Sequence, residues 1–144
     1  CVAHLLRPYQ GEPVHVVAAA VLHDDGYLAA RRGPEESDSG QWEFPGGKCD
    51  PGEDWSEAIA RELQEELSLE VIPRHPVGSW YRQRDGDGFV IHLVACDLVD
   101  RDGAPSLTVH DASMWRGASS PSPPSWAGRD GEMDAFLQDR IKST

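Results

Sequence analysis

Ile59, Leu63 and Leu67 recur at every fourth residue in "DWSEAIARELQEEL" (Asp54 to Leu67), and this stripe constrains the fold more than any other feature. Apolar residues at that spacing lie on one face of a helix and require a sheet or a second helix to cover them. Asp50, Pro51 and Gly52 fit a turn that starts the helix, and Glu53 and Asp54 suit its positive end. Taking Ile59 as zero, Glu66, Glu62 and Glu65 fall at about 340°, 300° and 240°. The three carboxylates thus share an arc on the edge of the buried stripe. Ala58 falls near 260° on the same wheel, where a small residue is expected to leave room for a ligand.

Three carboxylates so close repel one another unless a counter-charge is present. A solvated acidic face with basic partners would relieve them. So would hard divalent cations, which take oxygen ligands and leave positions for water and phosphate. The acids border an apolar stripe and follow a Gly-rich loop, "PGGKCDPGE", whose backbone can approach phosphate or lend a carbonyl to a metal. Both features favour the cation.

The rest of the chain supplies the cover. Val14 to Leu22 is an apolar, valine-rich run and reads as a central strand. "HDDGY" (His23 to Tyr27) is a hairpin turn into a return strand ending near Arg31. Gly33 to Gly40 is a polar loop, and Gln41 to Phe44 a short strand broken by Pro45-Gly46-Gly47. Val71 to Gln83 reads as one or two strands interrupted by prolines, followed by the turn "RDGDG" and a long buried strand from Phe89 to Val99. Leu107 to Trp115 is extended with a polar break at His110-Asp111. Gly117 to Trp126 is a surface loop. Gly131 to Ile141 closes the chain as a helix with Met133, Phe136, Leu137 and Ile141 inward. The order predicts an α+β domain with a mixed sheet between helices.

The 144 residues fit one domain, with 1–13 as an N-terminal extension and 14–142 as the core. The start at Cys1 reads as trimmed and leaves an upstream domain open. Net charge is −12 with no basic stripe, which argues against a nucleic-acid polymer as ligand. A small polyphosphate remains compatible if a divalent cation stands between the charges. No apolar run is long enough to span a bilayer. Three cysteines without a CxxC suggest neither a disulfide framework nor a zinc site, and a reducing, cytoplasmic setting is expected.

Gly47, five residues, Glu53, seven residues, then Arg61-Glu62-Leu63-Gln64-Glu65-Glu66-Leu67-Ser68-Leu69 resembles the Nudix box, G-x5-E-x7-R-E-U-x-E-E-x-G-U with U aliphatic. Ser68, in place of Gly, is the one fixed position that departs. "GQWEFPGGK" (Gly40 to Lys48) is similar to the MutT-like branch, and weaker agreement around "VIHL" and "HDASMW" extends the likeness over most of the chain from Val14.

The resemblance implies the Nudix fold, an α/β/α sandwich, and a hydrolase that uses Mg²⁺ or Mn²⁺. It implies Gly46 (by its carbonyl), Glu62, Glu65 and Glu66 as metal ligands, with one of these glutamates or a nearby carboxylate taking a proton from the attacking water. Arg61, held by Glu53, would brace the glutamates. Arg32 and Phe44 match positions that line the nucleotide site; Lys48, just after the two glycines, is placed to meet a phosphate; and Asp130, with Arg129 second, is the candidate reader of the base edge. Cys49 has no role in the pattern and reads as a filler. The implied substrate is a nucleoside triphosphate, cytidine or oxidised guanine, cut to monophosphate and pyrophosphate by a monomer or homodimer. A nucleotide-sugar hydrolase and a non-catalytic nucleotide sensor are the alternatives. The branch often carries a further glutamate where this chain has Val109, so His110 or Asp111 takes over that duty or the box glutamates keep it. Ser68 is expected to accept the left-handed backbone of the helix end at a modest cost.

Overall fold

The first strand is apolar on both sides because both of its faces are covered. A computed structural model of the chain describes residues 13–24 and 26–142. The expected N-terminal extension thus lies, apart from residue 13, outside the described residues.

β1 (Val14–His23) turns through a tight hairpin into β2 (Gly26–Arg32). β3 (Trp42–Glu43) and β4 (Gly46–Lys48) follow, then α1 (Trp55–Leu67), β5 (Val71–Arg84), β6 (Asp87–Leu98), β7 (His110–Gly117) and α2 (Asp130–Lys142). The seven strands form one mixed sheet in the order β3-β2-β1-β6-β5, with β4 paired to β1 and β7 to β2. β1 and β6 run parallel from Val14↔Phe89 to Leu22↔Asp97, and the other pairs are antiparallel.

Side chains alternate across a strand, so β1 serves two cores. Val17, Ala19 and Val21 pack with Ala58, Ile59, Leu63 and Leu67 of α1. Ala18 and Ala20 pack with Tyr27, Phe44, Leu93 and the Met133 and Leu137 of α2. The sheet therefore lies between two helices, as expected of an α+β sandwich. A buried polar cluster fastens α2: Arg116 of β7 donates to both oxygens of Asp134, and the Tyr27 hydroxyl donates to Asp134.

α1 opens on an N-cap at Asp54, whose side chain accepts the Glu57 N–H while Glu57 accepts the Asp54 N–H. It closes on Ser68 in the left-handed region (φ 53°, ψ 35°), with the Leu69 N–H reaching back to the Leu63 carbonyl. The serine takes the conformation expected of it. Ala58 does not: it is fully buried against the sheet, and leaves no space for a ligand.

β5 is one strand of 14 residues, not two. Its prolines are taken up by register shifts between Pro73 and His75 and between Pro76 and Gly78. An edge strand tolerates them because its outer N–H groups have no ladder partner to lose. At the β5–β6 turn Asp85 and Gly86 both have positive φ, matching a two-residue hairpin. β7 begins at His110, so the polar pair expected to break an extended segment instead opens the strand. Cys96 is free and buried. Among the described residues no helix is long and apolar enough to cross a membrane.

Candidate active site

The loop before α1 is glycine because two neighbours press on it. Gly46 pairs with Ala18 of β1, and a Cβ on it would stand 2.0 Å from the Val17 carbonyl oxygen. A Cβ on Gly47 would stand 2.6 Å from the Glu62 carboxylate. The bare backbone thus lies directly against β1 on one side and an acid of α1 on the other.

Arg61 organises the acids around it. Its Nε and Nη2 donate to the two oxygens of Glu53 at 2.7 and 3.0 Å, a planar two-point pair. Its Nη1 donates to Glu62 at 3.0 Å and to Glu65 at 3.2 Å, and Nη2 also reaches the Lys48 carbonyl. Asp50 lies 3.3 Å away as a further ion pair. The Arg61 fork holds the Glu53 carboxyl below the usual carboxylate range, an effect partly offset by desolvation.

The three box glutamates differ in exposure as their wheel angles require. Glu65, farthest from the stripe, is 59% exposed, and Glu62 is 14% exposed. Glu66 is the innermost, and its Oε1 is buried without a hydrogen-bond partner. Burial pushes the Glu66 carboxyl up to about 8; the neighbouring charges of Glu43 and Glu62 add to this, and the Gly46 N–H opposes it. An anionic oxygen placed there without a donor fits a cation.

Glu43 and His110 complete that corner. Ligand atoms of Glu43, Glu66 and His110 lie within 4.8 Å of one another. His110 Nε2 is 2.8 Å from Glu43 Oε2, and Arg32 donates to Glu43 Oε1 at 2.9 Å. His110 has a fully buried side chain, and its Nδ1 has no partner. Of the two residues beside Val109, it is therefore His110 that meets the acids. Asp111 points elsewhere and pairs with Arg31 at 2.6 Å.

Beside this corner opens a cleft of about 300 Å³. Arg32, Phe44, Lys48 and Asp130 all line it, as do Gly46 and Gly47. Phe44 is buried between the rings of Tyr27 and Trp126. Lys48 Nζ lies 6.0 Å from the Phe89 ring centre. Asp130 accepts the Phe44 N–H at 2.8 Å. Burial pushes its carboxyl up to about 7, with the Phe44 N–H opposing and Glu43 adding to the rise. Arg129, the second candidate, is committed instead to the Tyr81 carbonyl and to Glu132.

Glu43, Arg82 and Arg84 are absent from the sequence expectations. A lone acid between two aromatic residues in "WEF" was the available signal for Glu43. Nothing local marks the two arginines, which the β5–β6 hairpin brings to the cleft.

Comparison with known proteins bears on the family and the fold. The NUDIX domain family matches residues 13–126. A CTP pyrophosphohydrolase of Escherichia coli (strain K12) is 38% identical over 102 residues, covering 71% of this chain and 74% of that protein. An 8-oxo-dGTP diphosphatase of Proteus vulgaris is 39% identical over 61 residues, covering 40% and 53%. The crystal structure of a MutT protein from Methanosarcina mazei Go1 superposes with a TM-score of 0.74 at 20% identity, covering 94% of this chain and all of that one, a likeness of fold. The chain belongs to the NUDIX domain family and is a Nudix hydrolase.

Proposed function

We propose that this hydrolase cuts nucleoside triphosphates to nucleoside monophosphate and pyrophosphate with Mg²⁺ or Mn²⁺, and that a cytidine or oxidised guanine nucleotide is its substrate. The observation that carries the cation is the buried, donorless oxygen of Glu66 beside Glu62 and Glu43. The names carried by similar proteins, a CTP pyrophosphohydrolase and an 8-oxo-dGTP diphosphatase, support the substrate class.

In this reading the Gly46 carbonyl, Glu62, Glu65 and Glu66 hold the cation. When bound, it screens the phosphate charge and lowers the pKa of a coordinated water. Arg61, locked to Glu53, fixes where Glu62 and Glu65 stand. Glu65 or Glu62 takes the proton of the attacking water. Glu43, held by Arg32 and His110, is positioned as the further carboxylate that Val109 does not supply. Arg32 and Lys48 meet phosphates, Phe44 walls the nucleoside, and Asp130 faces the base edge. Most of the catalysis then comes from positioning and fixed charge.

The test is a panel of nucleotides incubated with Mg²⁺ or with EDTA, with products resolved by ion-exchange chromatography. Monophosphate and pyrophosphate are expected, and only with the cation. Glu65→Gln and Glu66→Gln should each lower turnover by on the order of 10²-fold or more. Release of diphosphate and phosphate, or turnover that survives both substitutions, would overturn the reading.

A further inference from the structure

Arg82 is a partly buried cation with no hydrogen-bond partner among the described residues. It lies on β5 opposite Phe89 and lines the cleft with Phe44, Ile91, Ala127 and Asp130. Its guanidinium rests on Gly128: a Cβ at that position would stand 2.4 Å from Arg82 Nη1. The absence of a side chain at 128 therefore gives Arg82 its seat. The chain is rich in acids, and the other arginines of the cleft have found acceptors, Arg32 in Glu43 and Arg84 in Asp38. Arg82 forms no hydrogen bond or ion pair with any described residue. Its planar fork of N–H donors is therefore open to a ligand in the cleft.

The surroundings say which part of a ligand that is. Asp130 lines the same cleft as Arg82. A carboxylate there repels a triphosphate, and Phe44, Ile91 and Ala127 add apolar wall. Phosphates are better met by Lys48 and the Gly46-Gly47 backbone. Donors next to an acid on an apolar wall fit the edge of a heterocycle. Resting on the nucleoside triphosphate reading above, we infer that Arg82 is a specificity-determining residue that donates to a carbonyl oxygen of the base, so that the cleft takes carbonyl-bearing bases in preference to adenine. Cytosine and guanine present a carbonyl oxygen with an adjacent ring-nitrogen lone pair, which a guanidinium can take at two points. Adenine has no carbonyl. Its 6-amino group flanks both N1 and N7 and would set donor against donor.

The test is calorimetric binding of CMP, GMP and AMP to the full chain, with the wild type, Arg82→Met and Arg82→Lys. Met keeps an unbranched side chain of similar reach and removes the donors; Lys keeps the charge and loses the fork. The wild type should favour CMP and GMP over AMP by roughly 10-fold or more. Arg82→Met should lose that preference while its AMP affinity stays within about 3-fold, and Arg82→Lys should recover part of it. In turnover, CTP should lose more than ATP, with the loss mainly in KM. Equal affinity of the wild type for all three monophosphates, or an equal loss for all three in Arg82→Met, would overturn the inference. Base-selective binding lost in Arg82→Met from a wild type that hydrolyses no triphosphate would sustain the inference and sink the triphosphate reading. Triphosphate hydrolysis that falls by one factor for CTP and ATP would do the reverse.

Discussion

The carboxylate of Glu62 lies where a side chain on Gly47 would begin: a Cβ there would stand 2.6 Å from Glu62 Cδ and Oε1. Gly46 faces a harder obstacle, the Val17 carbonyl oxygen at 2.0 Å. A side chain can swing away, and a paired backbone cannot. Gly47→Ala should therefore fold but displace Glu62, lowering kcat/KM by roughly 100-fold. Gly46→Ala should instead lose about 1–3 kcal/mol of stability by prying β4 from β1. Urea unfolding midpoints and turnover, measured on both variants, check the contrast.

Arg61 spreads its donors over Glu53, Glu62 and Glu65, which a lysine cannot do from one ammonium. Arg61→Lys should weaken Mn²⁺ binding by roughly 10-fold, because the ligands lose their support and not their charge. A Mn²⁺ titration followed by electron paramagnetic resonance reads this directly. An unchanged affinity would show that the brace is dispensable.

The buried carboxyls give the metal-free protein an unusual pH response. Folding raises the Glu66 carboxyl from 4.5 to about 8 and that of Asp130 from 3.8 to about 7. The unfolded chain releases these protons first, so it binds fewer of them between the two values. Stability contributed by the protonated forms is full below about pH 4 and is lost as pH rises towards 8. Thermal melting in EDTA should thus weaken from pH 5 to pH 8. A divalent cation relieves Glu66, so the rise in Tm on adding Mg²⁺ should be larger at pH 8 than at pH 5. A Mg²⁺ effect independent of pH would exclude Glu66 as the group that meets it.

Ser68 holds a left-handed backbone that glycine would accept without strain. Ser68→Gly should raise stability by up to about 1 kcal/mol, or roughly 2–4 °C in Tm. The box ligands precede it in the chain, so turnover should stay within about 2-fold, against a loss if the helix end were shaping the site.

What was legible in the chain was local. The stripe of Ile59, Leu63 and Leu67 announces α1, and its angles order Glu66, Glu62 and Glu65 by burial as observed. The same wheel misjudges Ala58, because an angle does not say what packs there. Glu43 and His110 are far apart in sequence, and neither is marked by spacing. They meet because β2 pairs with both of their strands, at Ala30↔Glu43 and at Arg32↔His110. Arg82 depends in the same way on the register of the β5–β6 hairpin and on a glycine in the loop before α2. Such contacts are products of topology, which no short window of residues contains.

The parallel pairing of β1 with β6 has a consequence for how the molecule comes into being. Parallel neighbours cannot be joined by a tight turn, and the chain between them carries the glycine loop, the acidic helix and β5. Contacts between residues so far apart are entropically expensive to close, which places the chain among the slower folders of its size. The glutamates, the arginine and the glycines are all made early, yet the floor beneath them is incomplete until the chain has run as far as Leu98. A fragment ending before β6 would hold the whole acidic motif and still lack the strand that gives it a place to stand.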